Sequence, residues 1–149
     1  MAKNTPFSDI TVLDFSRYLP GGYATQVLAD LGATVIKVED TGLGDFMRHD
    51  YPTKGGGISY YITALGRNKK SVSLNLKNEE VVDWFLKMAQ EADIIVESFR
   101  PGVTAKLGID YESIKKLNPG IIYCSISGYG ANDPRSCLLY TSPSPRDRT

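Results

Sequence analysis

The chain has 149 residues, 42% of them hydrophobic and 23% charged, enough for one ordinary domain with its own core. Lys and Arg total 17, as do Asp and Glu, and a net charge near zero argues against a nucleic-acid polyanion as the main partner. Apolar runs such as Ile94–Ile95–Val96 fall far short of the roughly 20 residues of a membrane helix. No signal-peptide stretch follows Met1–Ala2–Lys3, and two cysteines, Cys124 and Cys137, are too few for a disulfide framework. The expectation is a soluble cytoplasmic protein.

Ile10–Thr11–Val12–Leu13–Asp14–Phe15 is a compact apolar run suited to a buried strand. Leu19–Pro20–Gly21–Gly22 reads as the break after it. A helix from Tyr23 to Leu31 follows, with Ala24, Val27, Leu28 and Leu31 at helical spacing and Gly32 as its C-terminal stop. Thr34 to Glu39 is a second strand, which makes a strand–helix–strand unit with parallel strands and a right-handed crossover. The glycine-rich stretch from Thr41 to Gly57 suggests no regular element, and Ser59 to Leu65 suits a short helix.

Ser71 to Leu76 alternates like a half-exposed strand. Asn78 then caps an amphipathic helix to Ala92, with Glu79 and Glu80 in the first turn, where the helix dipole favours them. Val81, Val82, Phe85, Met88 and Ala89 form its apolar stripe. Asp93 to Glu97 is another buried strand. Pro101 to Leu107 suits a short helix closed by Gly108, Asp110 caps a helix through Leu117 ended by Asn118–Pro119–Gly120, and Ile121 to Ile126 is the last strand. Strands alternating with helices through short links mean an α/β fold, a parallel sheet covered by helices on both faces. No internal repeat is present.

The composition changes at Ser136. Ser142–Pro143–Ser144–Pro145 stops any regular element, so 136–149 reads as a disordered tail, either natural or appended. The run from Cys137 to Asp147 resembles one reading frame through a sequencing adapter. On that reading Cys137 is foreign, the structured unit is 1–135, and the natural sequence continued beyond Arg135.

In an open parallel sheet, ligands sit outside the carboxyl ends of the strands. Four loops rich in small or polar residues leave strands there: 16–22, 40–44, 98–102 and 127–130. In the first, the glycines either only turn the chain or present a helix N-terminus to an anion, with Arg17 adding charge. Glu39 ends the second strand where a dinucleotide fold keeps its ribose-binding acid, but the G-x-G-x-x-G pattern is absent. Gly55–Gly56–Gly57 reads as a flexible tip.

Arg67, Lys69 and Lys70 form one basic knot, and Arg100 with Lys106 a second. Each alone reads as a solvated face; together they suit a ligand with several phosphates. His49, the only histidine, has no nucleophile pattern near it, and Cys124 reads as an inert core residue of an apolar strand. No spacing suggests a metal site. Asp14, Asp45 and Asp93 read as caps and loop ligands rather than an acid/base pair.

The loops carry a specific likeness. Val12 to Arg17, Gly21, Ala29 to Glu39, Gly42 to Arg48, Arg67 to Lys77, Glu97 to Val103, and Asn118–Pro119 through Gly130 resemble, in order, the opening of class III CoA-transferases, the CaiB/BaiF family. That family includes formyl-CoA, carnitine and bile-acid CoA-transferases and α-methylacyl-CoA racemase. The resemblance implies a Rossmann-like, CoA-binding part of the family's large domain, in a parent that is an interlocked homodimer. It implies coenzyme A and acyl-CoA as substrates, with no covalently bound cofactor, and carboxylic acids as the other partners. It also implies transfer through an aspartyl-linked intermediate, the aspartate lying beyond Gly128–Tyr129–Gly130. No catalytic residue is therefore assigned here, and the 149-residue chain itself is expected to be inactive.

Beside Arg17, the coenzyme contacts implied by the likeness are Leu19 and Pro20 near the pantetheine, Leu74, Asn75, Ser98 and Phe99 near the adenine, and Arg100 and Lys106 near the phosphates. The chain departs from the family pattern at Asp40 (commonly arginine), Gly22 (commonly proline) and Asn75 (commonly aspartate), so that Arg48 or Lys70 would supply the basic charge. Two alternatives to transfer stay open: racemisation within the same family, and a nucleotide-binding module without catalysis.

Overall fold

Three short runs dominated by Val, Ile and Leu bury both of their faces, and they form the centre of the sheet. The computed structural model describes residues 5–49, 53–54, 57–130, 133 and 135. Its strands are β1 (Thr11–Phe15), β2 (Thr34–Glu39), β3 (Thr53–Lys54), β4 (Ile58–Ser59), β5 (Lys69–Ser73), β6 (Ile94–Glu97) and β7 (Ile122–Ser125). The helices are α1 (Tyr18–Asp30), α2 (Tyr60–Leu65), α3 (Glu79–Glu91), α4 (Val103–Lys106) and α5 (Tyr111–Leu117), with a 3-10 turn at Phe46–Arg48. The expected tail 136–149 and Gly55–Gly56 lie outside the described residues.

The main sheet runs β5-β2-β1-β6-β7, and every pairing in it is parallel. β3 and β4 form a separate antiparallel pair. Because side chains alternate along a strand, β1 sends Leu13 and Phe15 to one face and Val12 to the other. Leu13, Phe15, Val38 and Ile95 pack with Phe85, Ala89 and Ala92 around α3 and with Ile114 of α5. Val12, Val35 and Val96 pack with Ala29 and Ala33 around α1. Phe15 meets Phe85 edge to face at 4.8 Å, a favoured aromatic geometry. Both faces of this α/β sheet are thus covered, as the alternation of elements implied.

Local capping follows the sequence closely. Asn78 accepts from the Glu80 amide, Asp110 accepts from the Glu112 and Ser113 amides, and Ser59 caps α2. Gly32, at φ 106°, carries the left-handed turn that ends α1.

Five expectations change. First, α1 begins at Tyr18, so Leu19–Pro20–Gly21–Gly22 lies inside the helix rather than in a break. Pro20 is tolerated because a first-turn amide has no intrahelical partner to lose. Second, the buried face of α1 is Gly21, Gly22, Thr25, Gln26 and Ala29, while Val27 and Leu31 are exposed. The small residues face the sheet because the helix lies close to it.

Third, β5 starts at Lys69 and ends at Ser73. The alternation continues past it, since Leu74 still donates its amide to the Glu39 carbonyl at 2.8 Å, before Asn75 turns the chain by accepting from Lys77. Fourth, Cys124 is exposed. β7 is an edge strand, and its α1-side face, with Ile122 61% exposed, lies beyond the cover of α1. Fifth, α4 opens two residues after Pro101, with Gly102 at φ 84° as its cap.

Candidate functional site

Since all five strands run in parallel, their carboxyl ends share one edge, and the chain leaving β1, β2, β5 and β6 meets there. Between these segments and α4 lies a cleft of about 260 Å³. Phe15, Val38, Leu74, Leu76, Phe99, Val103 and Leu107 form its apolar lining; Arg17, Glu39, Asp40, Asn75 and Lys77 supply polar groups. An apolar hollow with a few convergent polar groups is the usual form of a small-molecule site.

Arg17 is held at this edge by contacts of its backbone and its side chain. Its amide donates to Ser98 Oγ at 2.8 Å, tying the β1 exit to the β6 exit. Its guanidinium lies 5.1 Å from the Phe46 ring centre and 5.9 Å from that of Phe99, within cation–π range. It pairs with Asp40 at 3.0 Å. Tyr18, next in the chain, has a left-handed φ of 60° and stacks on Phe46 at 5.7 Å.

Beneath the edge, on the α1 side, lies a buried ionic network. Lys37 Nζ pairs with Asp45 at 2.9 Å and Asp14 at 3.8 Å, and it donates to the Ser16 carbonyl. Lys69 Nζ pairs with Asp14 at 3.2 Å and donates to the Gly22 carbonyl and Thr25 Oγ1. Burial pushes the Lys69 ammonium below its usual value, against the opposing pull of Asp14. Asp14 also accepts from the Ser16 amide and hydroxyl and from Thr25 Oγ1 at 2.6 Å. The loops after β1 and β2 are therefore held to the sheet by charges that water barely reaches.

Glu39 is fully engaged. It accepts from Arg48 at 2.5 and 2.6 Å, from the Asp45 amide at 2.8 Å and from Ser71 Oγ at 2.8 Å. Burial pushes its carboxyl up, but these donors outweigh it and bring the pKa down to about 2. The ribose-acid position is thus spent on fixing the β2 exit.

The implied contact residues divide. Arg17, Leu74, Asn75 and Phe99 line the cleft, and Ser98 holds the Arg17 backbone. Leu19 and Pro20 are exposed on the first turn of α1, Arg100 is exposed after β6, and Lys106 is exposed on α4 beside the cleft-lining Leu107. These four do not line the cleft. The basic knot at 67–70 splits: Arg67 pairs with Asp30 at 2.6 Å, Lys69 turns inward, and Lys70 stays exposed. Asp14 and Asp45 are loop ligands as expected, and Asp93 accepts from the Thr11 amide. His49 is exposed, its Nε2 3.0 Å from the Leu43 carbonyl.

Sequence reasoning missed the apolar lining from Val38, Leu76, Val103 and Leu107. The period-two pattern of 71–76 already carried the signal for Leu76. A larger cleft, about 310 Å³, opens on the other face between α2, Lys37 and Arg48. It suits a ligand less well, because charges on its wall are already paired: Arg48 with Glu39, Lys37 with Asp45 and Lys69 with Asp14.

A parallel α/β sheet with a part-apolar cleft across its carboxyl edge is the architecture of the open, wound α/β class. The chain belongs to CoA-transferase family III, whose model matches residues 7–138. It is 43% identical over 129 residues to an acetyl-CoA:oxalate CoA-transferase of Acetobacter aceti, covering 87% of this chain and 33% of that protein. To a succinyl-CoA:glutarate CoA-transferase of Homo sapiens it is 43% identical over 131 residues, covering 88% and 30%.

Two crystal structures are also similar. A CaiB/BaiF family protein from Brucella suis superposes with a TM-score of 0.83 at 38% identity, covering 90% of this chain and 36% of that one. A hypothetical protein from Mycobacterium tuberculosis gives 0.81 at 35%, covering 96% and 43%. The chain thus spans about a third of the length of the curated relatives it matches. No helix among the described residues is long and apolar enough to cross a membrane.

Proposed function

We propose that the protein to which this chain belongs moves coenzyme A between an acyl-CoA and a carboxylic acid, and that the carboxyl-edge cleft receives the nucleotide end of the coenzyme. The observation that carries this reading is the meeting of Arg17, Leu74, Asn75 and Phe99 in one cleft. These residues come from three separate stretches of the chain; the likeness to CoA-transferases implies Leu74, Asn75 and Phe99 as coenzyme contacts, and Arg17 adds charge beside a helix N-terminus. Leu74 and Phe99 offer apolar surface to a base, and Asn75 offers a donor and an acceptor. Arg100 and Lys106, exposed near the rim, remain free to reach phosphates that project from it.

The transfer step in this reading uses an aspartate beyond Gly130. Its carboxylate attacks the thioester carbonyl, forming an acyl–aspartyl anhydride and expelling the CoA thiolate. The thiolate then attacks the aspartyl carbonyl, giving an aspartyl-CoA thioester and releasing the first acid. The second acid reverses both steps and leaves as its own CoA thioester. The transferase names of the relatives described above support transfer over racemisation. A second copy of the full protein is the proposed partner.

Calorimetric titration with coenzyme A tests the site. Saturable binding is expected, with Leu74→Ala or Phe99→Ala weakening it about tenfold or more, and with no turnover by the 149-residue chain. An absence of affinity for CoA and acetyl-CoA, in this chain and in the full protein alike, would overturn the reading.

A further inference from the structure

The cleft already contains an anion of its own. Asp40 Oδ1 accepts from the Gly42 amide at 2.8 Å and the Gly44 amide at 3.3 Å, while Oδ2 takes the Arg17 guanidinium at 3.0 Å. Two backbone amides and an arginine around one carboxylate are a donor set suited to a bound phosphate or carboxylate. Arg17 cannot easily turn elsewhere, since its amide is held by Ser98 and its guanidinium lies against Phe46 and Phe99. Both charged side chains are partly open to water, at 33% and 42%. A pair so placed is weak enough to exchange with an incoming ion.

We propose that Asp40 is a specificity-determining residue whose carboxylate occupies Arg17 as a placeholder. A singly charged acid gains nothing by replacing one carboxylate with another. A phosphate ester carries more charge and more acceptor oxygens, so it displaces Asp40 and takes the guanidinium. This rests on reading the cleft as the site for the nucleotide end of coenzyme A. It adds a selection rule to that reading: the edge rejects simple carboxylates and admits phosphates, at the cost of weakened phosphate affinity.

Asp40→Asn tests the rule, because the amide oxygen still accepts from Gly42 and Gly44 while the charge is gone. Affinities of the intact chain for inorganic pyrophosphate, acetate and coenzyme A are measured by calorimetry at fixed ionic strength. The expected result is that Asp40→Asn binds pyrophosphate and coenzyme A about tenfold tighter and gains affinity for acetate. Adding Arg17→Met should abolish those gains. In the native background, Arg17→Met should weaken pyrophosphate binding about tenfold, because the guanidinium that phosphate takes from Asp40 is gone and the carboxylate is left without it. Unchanged or weaker pyrophosphate binding by Asp40→Asn overturns the placeholder, as does an unchanged pyrophosphate affinity in Arg17→Met if Asp40→Asn fails to fold. Tighter pyrophosphate binding with no coenzyme A binding by any form keeps the placeholder and removes the coenzyme reading.

Discussion

The backbone of Gly21 passes so close to Ser16 that a Cβ added to Gly21 would stand 2.0 Å from Ser16 Cβ and 2.2 Å from its hydroxyl. The first turn of α1 is thereby seated on the end of β1, beside the loop that carries Arg17. Gly21→Ala should cost about 1–3 kcal/mol through overpacking. Gly22→Ala meets the flexible tip of Met47 at 3.3 Å and Leu65 at ordinary contact distances of 3.6 and 3.8 Å, and should stay within about 1 kcal/mol of the native chain, helped by its helix propensity. Urea unfolding of both variants checks the contrast, and equal losses would count against the close approach.

Lys37 is 5% exposed and is shared by Asp14 and Asp45, themselves buried. Replacing it with Met leaves two carboxylates competing for Lys69 and the surrounding amides. A loss of about 3–5 kcal/mol is expected, as for other broken buried pairs. Lys37→Met combined with Asp45→Asn should recover part of it. A single variant as stable as the native protein would show that the network contributes nothing.

Acid should act through Glu39. Its pKa falls from 4.5 in the unfolded chain to about 2 in the fold, so the folded state binds this proton less readily. The stabilisation is fully present above about pH 5 and disappears as pH falls towards 2, roughly 3 kcal/mol in all. Glu39→Gln should flatten that limb of the stability–pH curve in chemical denaturation between pH 2 and 6. An unchanged slope would mean that Arg48, Ser71 and the Asp45 amide do not hold the carboxylate in solution.

Asn118 joins two helices. Its Nδ2 donates to the Ala89 carbonyl at 3.1 Å and the Ala92 carbonyl at 2.8 Å, closing the carboxyl end of α3 from the end of α5. Asn118→Ala should cost about 1–3 kcal/mol, because these carbonyls lose their donor. Amide exchange should rise in the last turn of α3 and leave β1 protected. Uniform loss of protection across the sheet would point to a different role.

Much of the fold was legible because it depends on neighbours in the chain. Apolar runs marked β1, β2 and β6, and the Asn78 and Asp110 caps appeared where side chains of that type precede helical periodicity. Leu74, Asn75 and Phe99 were picked out by likeness, and the cleft collects them. The start of α1 was not legible, because the glycines of 21–22 look like a turn until Ser16 is seen beside them. Asn118 looked only like a helix terminator.

The sequence by itself determined the alternating α/β order, the parallel sheet and the family, since periodicity, caps and motif order are properties of short stretches. Only the tertiary structure decided which charge meets which. Arg67 and Lys69, two residues apart, end respectively on exposed Asp30 and buried Asp14. Arg17 finds Asp40 across two loops, and Cys124 is open because its strand lies at the edge. Coulombic pairing and burial are set by distance through space, and residues far apart in the chain acquire that distance only when the sheet assembles.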